Sequence, residues 1–367
     1  MDKPSNKVLF YNPGYEVSAG YKLKNYTPPR NVVTLRRDLA CLMKLLYPHP
    51  NAVVWTPSYR FKKNDILIPW GWAPEVYSLP TIHNENIPYT LEQMQYFASR
   101  KRSHNLQELL VKKYPKRFTS NTKSQLLSQI RNLDFNEEET KRYIVKPEFS
   151  SSGRGQLLYN SINEILLQHT KKNTEEYFVE VFHHKIQDRG LEFHINSNGH
   201  IEYLGPSVFT TTNNQYTGNV IKPAKEIERQ WILDDLGQHT NYLEGLLSGL
   251  KDFDFNGYVG PFGIDTILYN ANNKILKLHP CIEINMRHTM GHIALKLSEW
   301  ASKSGMEGYF SILYGKPEEL KKEFFNSTFI DACNLTCKAT AGNFHLNPIK
   351  EETQFVAKLH LKPIQYQ

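Results

Sequence analysis

The chain has 367 residues, with 44 Lys and Arg against 37 Asp and Glu, a formal net charge of +7. At roughly 100–200 residues per domain, that length allows two or three domains or one multi-lobed unit. Hydrophobic residues make up 40% and charged residues 22%, with 19 Phe and 21 Tyr, so the chain can bury a sizeable core and wholesale disorder is excluded.

In chain order, the first ~85 residues read as strand alternating with helix. Lys7–Asn12 is a short apolar strand running into Pro13-Gly14. Leu35, Leu39, Leu42, Met43 and Leu46 have helical spacing within 34–47, and Pro48 and Pro50 stop that helix. Ala52–Trp55 and Asp65–Pro69 are further strand-length runs. Together they predict a small open α/β domain. No G-x-G-x-x-G follows the first strand, so a dinucleotide site is not indicated. The loop Asn12–Glu16 stands at the carboxyl end of that strand, where open α/β sheets bind ligands. Trp70–Glu75 is an aromatic loop suited to interdomain packing or a substrate pocket.

Thr90 opens a helix with Glu92 and Gln93 in its first turn. Helical sequence continues to Tyr114-Pro115 with a break near Ser103. A helix is expected over about 122–130, a polar loop over 133–142, and strands with one helix over 143–205. Glu226–Leu250 reads as one long helix, Gly257–Asn285 as two strands about the turn at 270–273, and Gly291–Lys303 as a helix. The tail mixes a helix over Pro317–Phe325 with short strands.

Charge is uneven along this order. Arg100–Lys123 holds eight basic residues and a single acid, Glu108, so it carries the whole excess and the rest balances. Such a stretch suits an acidic surface, a nucleotide phosphate, nucleic acid or solvent. With Tyr114 and Phe118 its only large aromatics, a base-stacking platform and a nucleic-acid partner are not expected. The apolar runs fall far short of the roughly 18–20 residues that span a bilayer, so no membrane partner is expected. A secretory signal is not expected either. Four cysteines are too few for a disulfide framework and point to a reducing, cytoplasmic setting. Cys333 and Cys337 lack two further ligands at zinc spacing.

Two windows carry chemistry. In Tyr143–Leu157 an apolar strand delivers Lys146, and Ser150-Ser151-Ser152-Gly153-Arg154-Gly155 follows. Glycines let the backbone approach a ligand, successive N–H groups wrap an anion, and the lysine adds a point charge. A plain Ser/Gly hairpin has the same sequence signature. In the second window, Gly260–Asp265 precedes a turn and then His279–Arg287. Glu283, Asn285 and Arg287 alternate, and Asp265 stands on the partner strand. Two carboxylates and an amide make a hard-oxygen site of the kind Mg²⁺ shares with phosphates. Arg287 adds a permanent charge for an anionic intermediate. A solvent-facing hairpin alternates in the same way. His279 and Cys281 flank this strand and can line an acceptor pocket or pack in the core.

In this order, the two windows resemble the ATP-grasp superfamily over roughly residues 90–305. The resemblance implies an ATP-grasp fold with an N-terminal open α/β domain: residues 1–88, then 89–310 with a lid at about 143–178, then an extension over 311–367. It implies ATP and two Mg²⁺ ions as cofactors. Lys146 would contact the α/β-phosphates, with Lys101 or Arg102 as a second basic contact. Ser151, Ser152, Gly153 and Gly155 would form the phosphate lid. Glu180 would sit by the adenine, with the Val181 and Phe182 backbone reading the base. Glu192 would lie near the ribose or the metals, with Asp188 as the alternative at the ribose. Asp265, Glu283 and Asn285 would hold the metals, and Arg287 would stabilise an acyl-phosphate. The implied reaction joins a carboxylate to an amine with release of ADP and phosphate. A hydroxyl kinase using His288 or His279 as base, and a non-catalytic nucleotide-binding module, are the alternatives. A homodimer is the prior for oligomeric state.

Overall fold

The computed structural model describes every residue except 1–4, 116–117, 119–123, 131–141, 151–152, 154, 170–175, 213–214, 236, 272–274, 332–334, 336 and 366–367. Its first sheet is parallel, with β1 (Lys7–Phe10) between β2 (Ala52–Val54) and β3 (Ile66–Pro69). The helix read over 34–47 starts earlier, at Arg30, and ends at Leu39. A 3₁₀ turn and the short helix Met43–Leu46 continue it.

A small sheet follows, with strand order β4-β7-β5-β6: β4 is Gln125–Leu126, β5 Tyr143–Pro147, β6 Leu157–Tyr159 and β7 Tyr177–Val181. It encloses its own core, including Val145, Tyr159, Ile162, Ile165 and Val179.

The third sheet is the largest. β8 (His184–Ile195), β9 (Ile201–Thr212) and β10 (Gln215–Ile221) run antiparallel. On the far side of β8 lie β11 (Gly260–Ala271) and β12 (Ile275–Leu278), with β13 (Glu283–Asn285) also on β11. β10 continues into β14 (Met306–Tyr314), and the tail adds β15 (Thr328–Phe329), β16 (Gly342–His345) and β17 (Phe355–Pro363). β17 pairs with β14 along all nine of its residues, so the tail extends the large sheet.

Three helix expectations differ from the structure. The break expected near Ser103 falls at Ser99-Arg100, between helices Leu91–Ala98 and Lys101–Lys113. The helix expected over 226–250 is two, Ala224–Asp234 and Gln238–Leu250, with Gly237 at φ +83° between them. Buried Asp235, paired with fully buried Arg189 at 2.7 Å, pins that break. Gln125–Leu126, expected as helix, pairs with β7 as a strand.

The cores cross the boundaries read from sequence. Val8 and Phe10 pack in one cluster with Phe193 and Phe262. Leu9 and Tyr11, on the other face of β1, pack with Phe310 and Leu359. Among the described residues, no helix is long and apolar enough to cross a membrane.

Candidate active site

The three sheets surround one cavity of about 1370 Å³. Its first wall is the small sheet. Lys146 on β5 and Glu180 on β7 stand on neighbouring strands and form a buried ion pair at 2.5 Å. Between β5 and β6, Gly153 has φ +72° and Gly155 φ +73°. Both glycines line the cavity, and both adopt the left-handed region that side-chain-bearing residues avoid. Ser151, Ser152 and Arg154 lie outside the described residues.

Val181 and Phe182 line the cavity where β7 leaves the small sheet. Of the Val181–Phe182 backbone expected to read a base, the Phe182 N–H donates to the Arg142 carbonyl at 2.8 Å. Beside it, His183 packs on Tyr269 at 4.1 Å between ring centroids, and its buried Nε2 has no partner among the described residues. Burial and the Lys146 charge bring the His183 pKa down to about 4, so the ring is neutral. The His183 ring contact with Tyr269, 86 positions away, leaves no local signal in the sequence.

The second wall is the β11–β13 pair. Asp265 lies directly opposite Glu283, and Gly263 opposite Asn285. Asn285 Nδ2 donates to Asp265 at 2.9 Å. Burial, then Glu283 and Glu192, push the Asp265 pKa well above the usual carboxylate range. Burial pushes Glu283 the same way, but Arg100, Arg287 and Lys146 outweigh it and hold its pKa low. Among the described residues no three His, Cys, Asp or Glu side chains group around one metal position. The set here is two carboxylates and an amide. Half-buried Asp265 and neighbouring Glu283 crowd negative charge, which a hard cation relieves, so the donor set fits Mg²⁺.

β13 ends at Asn285, so Arg287 is not on the strand as its spacing suggested. Its N–H turns back to the Asn285 carbonyl, and its Nε meets Glu16 at 3.3 Å. Glu16, with Pro13 and Gly14, brings the first domain's loop to the cavity wall.

Among the described residues of the 100–123 stretch, the basic one that reaches the site is Arg100. It lines the cavity and contacts both Glu283 and Ser150 at 3.1 Å. Neither Lys101 nor Arg102 lines it. Lys101 is exposed, whereas Arg102 is buried, donates to the Ser99 carbonyl and lies among Tyr15, Tyr96 and Tyr258. The Ser99 hydroxyl bonds Glu148 at 2.5 Å and the Arg100 N–H meets the Glu148 carbonyl, which turns Arg100 inward.

Asp188 and Glu192, on β8, both line the cavity. Asp188 pairs with Lys185 at 2.6 Å and accepts from Thr211. Glu192 is buried and accepts from Thr289 at 2.6 Å and Ser207 at 2.9 Å. Burial, partly offset by these hydroxyls, raises its pKa to about 7. His279 and His288 do not line the cavity. His288 is buried, its ring nitrogens 2.8 Å from the Tyr47 hydroxyl and 3.3 Å from the Trp70 carbonyl.

No family model matches the chain, and no curated protein matches its sequence. Solved structures match its fold. N5-carboxyaminoimidazole synthetase from Staphylococcus aureus is similar at TM-score 0.52 and 11% identity, covering 99% of this chain and 94% of that one. Its complex with ADP gives 0.51 and 13%, with 99% and 95% covered. Biotin carboxylase from Campylobacter jejuni, solved as a beta-gamma-ATP complex, gives 0.50 and 11%, with 99% and 88% covered. The chain has the ATP-grasp fold, a mixed helix-and-sheet architecture.

Proposed function

We propose that the protein is an ATP-dependent ligase that joins a carboxylate to an amine. One observation carries this: a single cavity is lined by the Lys146–Glu180 wall, the Asp265–Glu283–Asn285 set and Arg287 held by Glu16. In that order they suit a nucleotide, its metal-bound phosphates and a carboxylate. The ADP and beta-gamma-ATP complexes among the similar structures support the nucleotide.

In this reading Lys146 and Arg100 meet the phosphates, and the turn with Gly153 and Gly155 covers them. Asp265, Glu283 and Asn285 hold two Mg²⁺ ions, which when bound neutralise phosphate charge. A substrate carboxylate oxygen attacks the γ-phosphorus; the bond to ADP breaks and an acyl-phosphate forms. The amine nitrogen then attacks the acyl carbon, phosphate leaves and the nitrogen loses a proton. Arg287 faces the charge on the acyl oxygen. The protein's part is positioning and charge neutralisation. The bases that a hydroxyl kinase would use, His279 and His288, do not line the cavity, which favours the ligase reading.

The test is phosphate release from ATP with Mg²⁺. Release that requires both a carboxylate and an amine is expected. Glu283→Gln is expected to lower it at least a hundredfold while circular dichroism stays unchanged. Release with a hydroxyl acceptor alone, or wild-type turnover in Glu283→Gln, would sink the proposal.

A further inference from the structure

Two loops that the sequence marks as possible pocket walls, Asn12–Glu16 and Trp70–Glu75, are tied to each other. Pro13, Gly14 and Glu16 line the cavity, and so does Trp70. Asn12, Gly71 and Glu75 do not line it; they bond one another instead. Asn12 Nδ2 donates to the Gly71 carbonyl at 3.0 Å and to Glu75 at 2.9 Å, and Asn12 Oδ1 accepts the Gly71 N–H at 3.2 Å. Asn12 and Glu75 are both buried.

The helix Arg30–Leu39 sends Arg36 into this contact. Its Nη1 and Nη2 form a forked pair with Glu75 at 2.8 and 3.1 Å. Its Nε donates to the Pro13 carbonyl at 3.0 Å, and its Nη2 to the Asn12 carbonyl at 3.3 Å. All three nitrogens are thus engaged, with one carboxylate and two successive carbonyls of the loop. A planar guanidinium holds such a set in a single orientation, which a lysine ammonium does not. Beyond these carbonyls Gly14 turns the chain at φ +77°, and Glu16 meets Arg287 Nε at 3.3 Å. The Glu75 N–H donates to the Ser18 hydroxyl at 3.2 Å, so the chain is held on both sides of Glu16.

Desolvation offsets much of what a buried ion pair contributes to stability, so stability alone is a poor reason for this one. The geometry points to Arg36 and Glu75 as positioning residues for Arg287. Neither lines the cavity. They act through the loop, which sets Glu16 against Arg287 and so fixes where that guanidinium faces. A reacting group misplaced by about 1 Å costs about a hundredfold in rate. That Arg287 faces an acyl oxygen rests on the ligase reading; the hold of Arg36 and Glu75 on Glu16 does not.

The test reads the Arg287 side chain directly, by nuclear magnetic resonance of protein carrying isotope-labelled arginine. Loss of a signal in Arg287→Lys assigns its Nε–H, and Glu16→Gln shows where that signal moves when the pair loses its charge. Arg36→Lys keeps the cation and Glu75→Gln keeps the shape. Both are expected to move the signal in the direction of Glu16→Gln and to speed its exchange with water about tenfold. Mg-ATP affinity in calorimetry is expected to stay within about twofold. Gly308→Ala, whose Cβ would crowd the His360 carbonyl in the β14–β17 seam, is the destabilised control and is expected to leave the signal in place. If Arg36→Lys does not fold, Glu75→Gln gives the same readout. An unmoved signal in the folded variants overturns the inference. So does a signal that Gly308→Ala moves equally, or one that Glu16→Gln leaves unmoved. A parallel fall in Mg-ATP affinity also overturns it, because the effect is then not confined to the loop. Failure of the unaltered protein to bind Mg-ATP sinks the nucleotide reading alone, since the arginine signals still decide the role of Arg36 and Glu75.

Discussion

Glu192 is a carboxyl whose surroundings set its charge. Its pKa rises to about 7 from an ordinary value of 4.5, chiefly through burial. The folded state therefore holds the proton more tightly than the unfolded chain. The resulting stability is full below about 4.5 and is lost as pH rises through about 7. Glu192→Gln keeps the shape and removes the titration. Its stability relative to wild type is expected to rise by about 3 kcal/mol between those pH values, in urea unfolding without nucleotide. Arg100 gives a second residue-scale prediction. Arg100→Met is expected to weaken Mg-ATP binding more than tenfold in calorimetry, and Lys101→Met to leave it unchanged. Read from sequence, the phosphate contact is Lys101 or Arg102, whereas Arg100 is the one of the three that lines the cavity. Helix phase alone does not decide it; the Ser99–Glu148 contact, 49 positions apart, does. The Asp265–Glu283 pairing was legible because the chain folds back along β11 after Ala271, although the single return strand read from sequence is two, β12 and β13. Arg287 was legible as a charge but not in its position, since β13 stops after three residues.

At the scale of elements, local pattern fixed where helices and strands lie better than where they break. The helix expected to run unbroken to Leu250 is split by Gly237 and by a carboxylate that serves Arg189 on β8. Helical periodicity reports which residues are apolar, not which buried cation needs a partner. The start of the second helix holds a related feature. His239 is buried, both its ring nitrogens lack partners among the described residues, and burial beside Arg189 lowers its pKa to about 4. Its folded pKa lies below its ordinary 6.5, so the neutral ring's contribution is present above 6.5 and lost as pH falls through 4. His239→Phe is expected to flatten acid unfolding across that window. Gly308 makes the β14–β17 seam possible: a Cβ there would come within 1.8 Å of the His360 carbonyl oxygen. Gly308→Ala is expected to cost 2 kcal/mol or more, roughly, in thermal unfolding. The tail's role in that seam had no sequence signal, because strand partners so far apart leave no local pattern.

For the whole molecule, the first sheet is joined to the rest from both faces of one strand. Val8 and Phe10 look into one core while Leu9 and Tyr11 look into the other. The tie is polar as well, through His288 to Tyr47 and Trp70. Residues 1–88 expressed alone are expected to stay unfolded by circular dichroism, since β1 would lose partners on both sides. Separate strand and helix signals made the α/β character of this region legible, but gave no view of what its two faces cover.

The chain is basic as a whole, yet the described lining of its cavity carries six carboxylates, Glu16, Glu180, Asp188, Glu192, Asp265 and Glu283, against four cations. The protein thus presents a counter-ion problem to any polyanion that enters. An uncomplexed nucleoside triphosphate meets four cations that each already contact a carboxylate, whereas one carrying its divalent ion arrives partly neutralised. Such a wall admits the ion together with its nucleotide, and a chelator is expected to abolish binding without disturbing the fold.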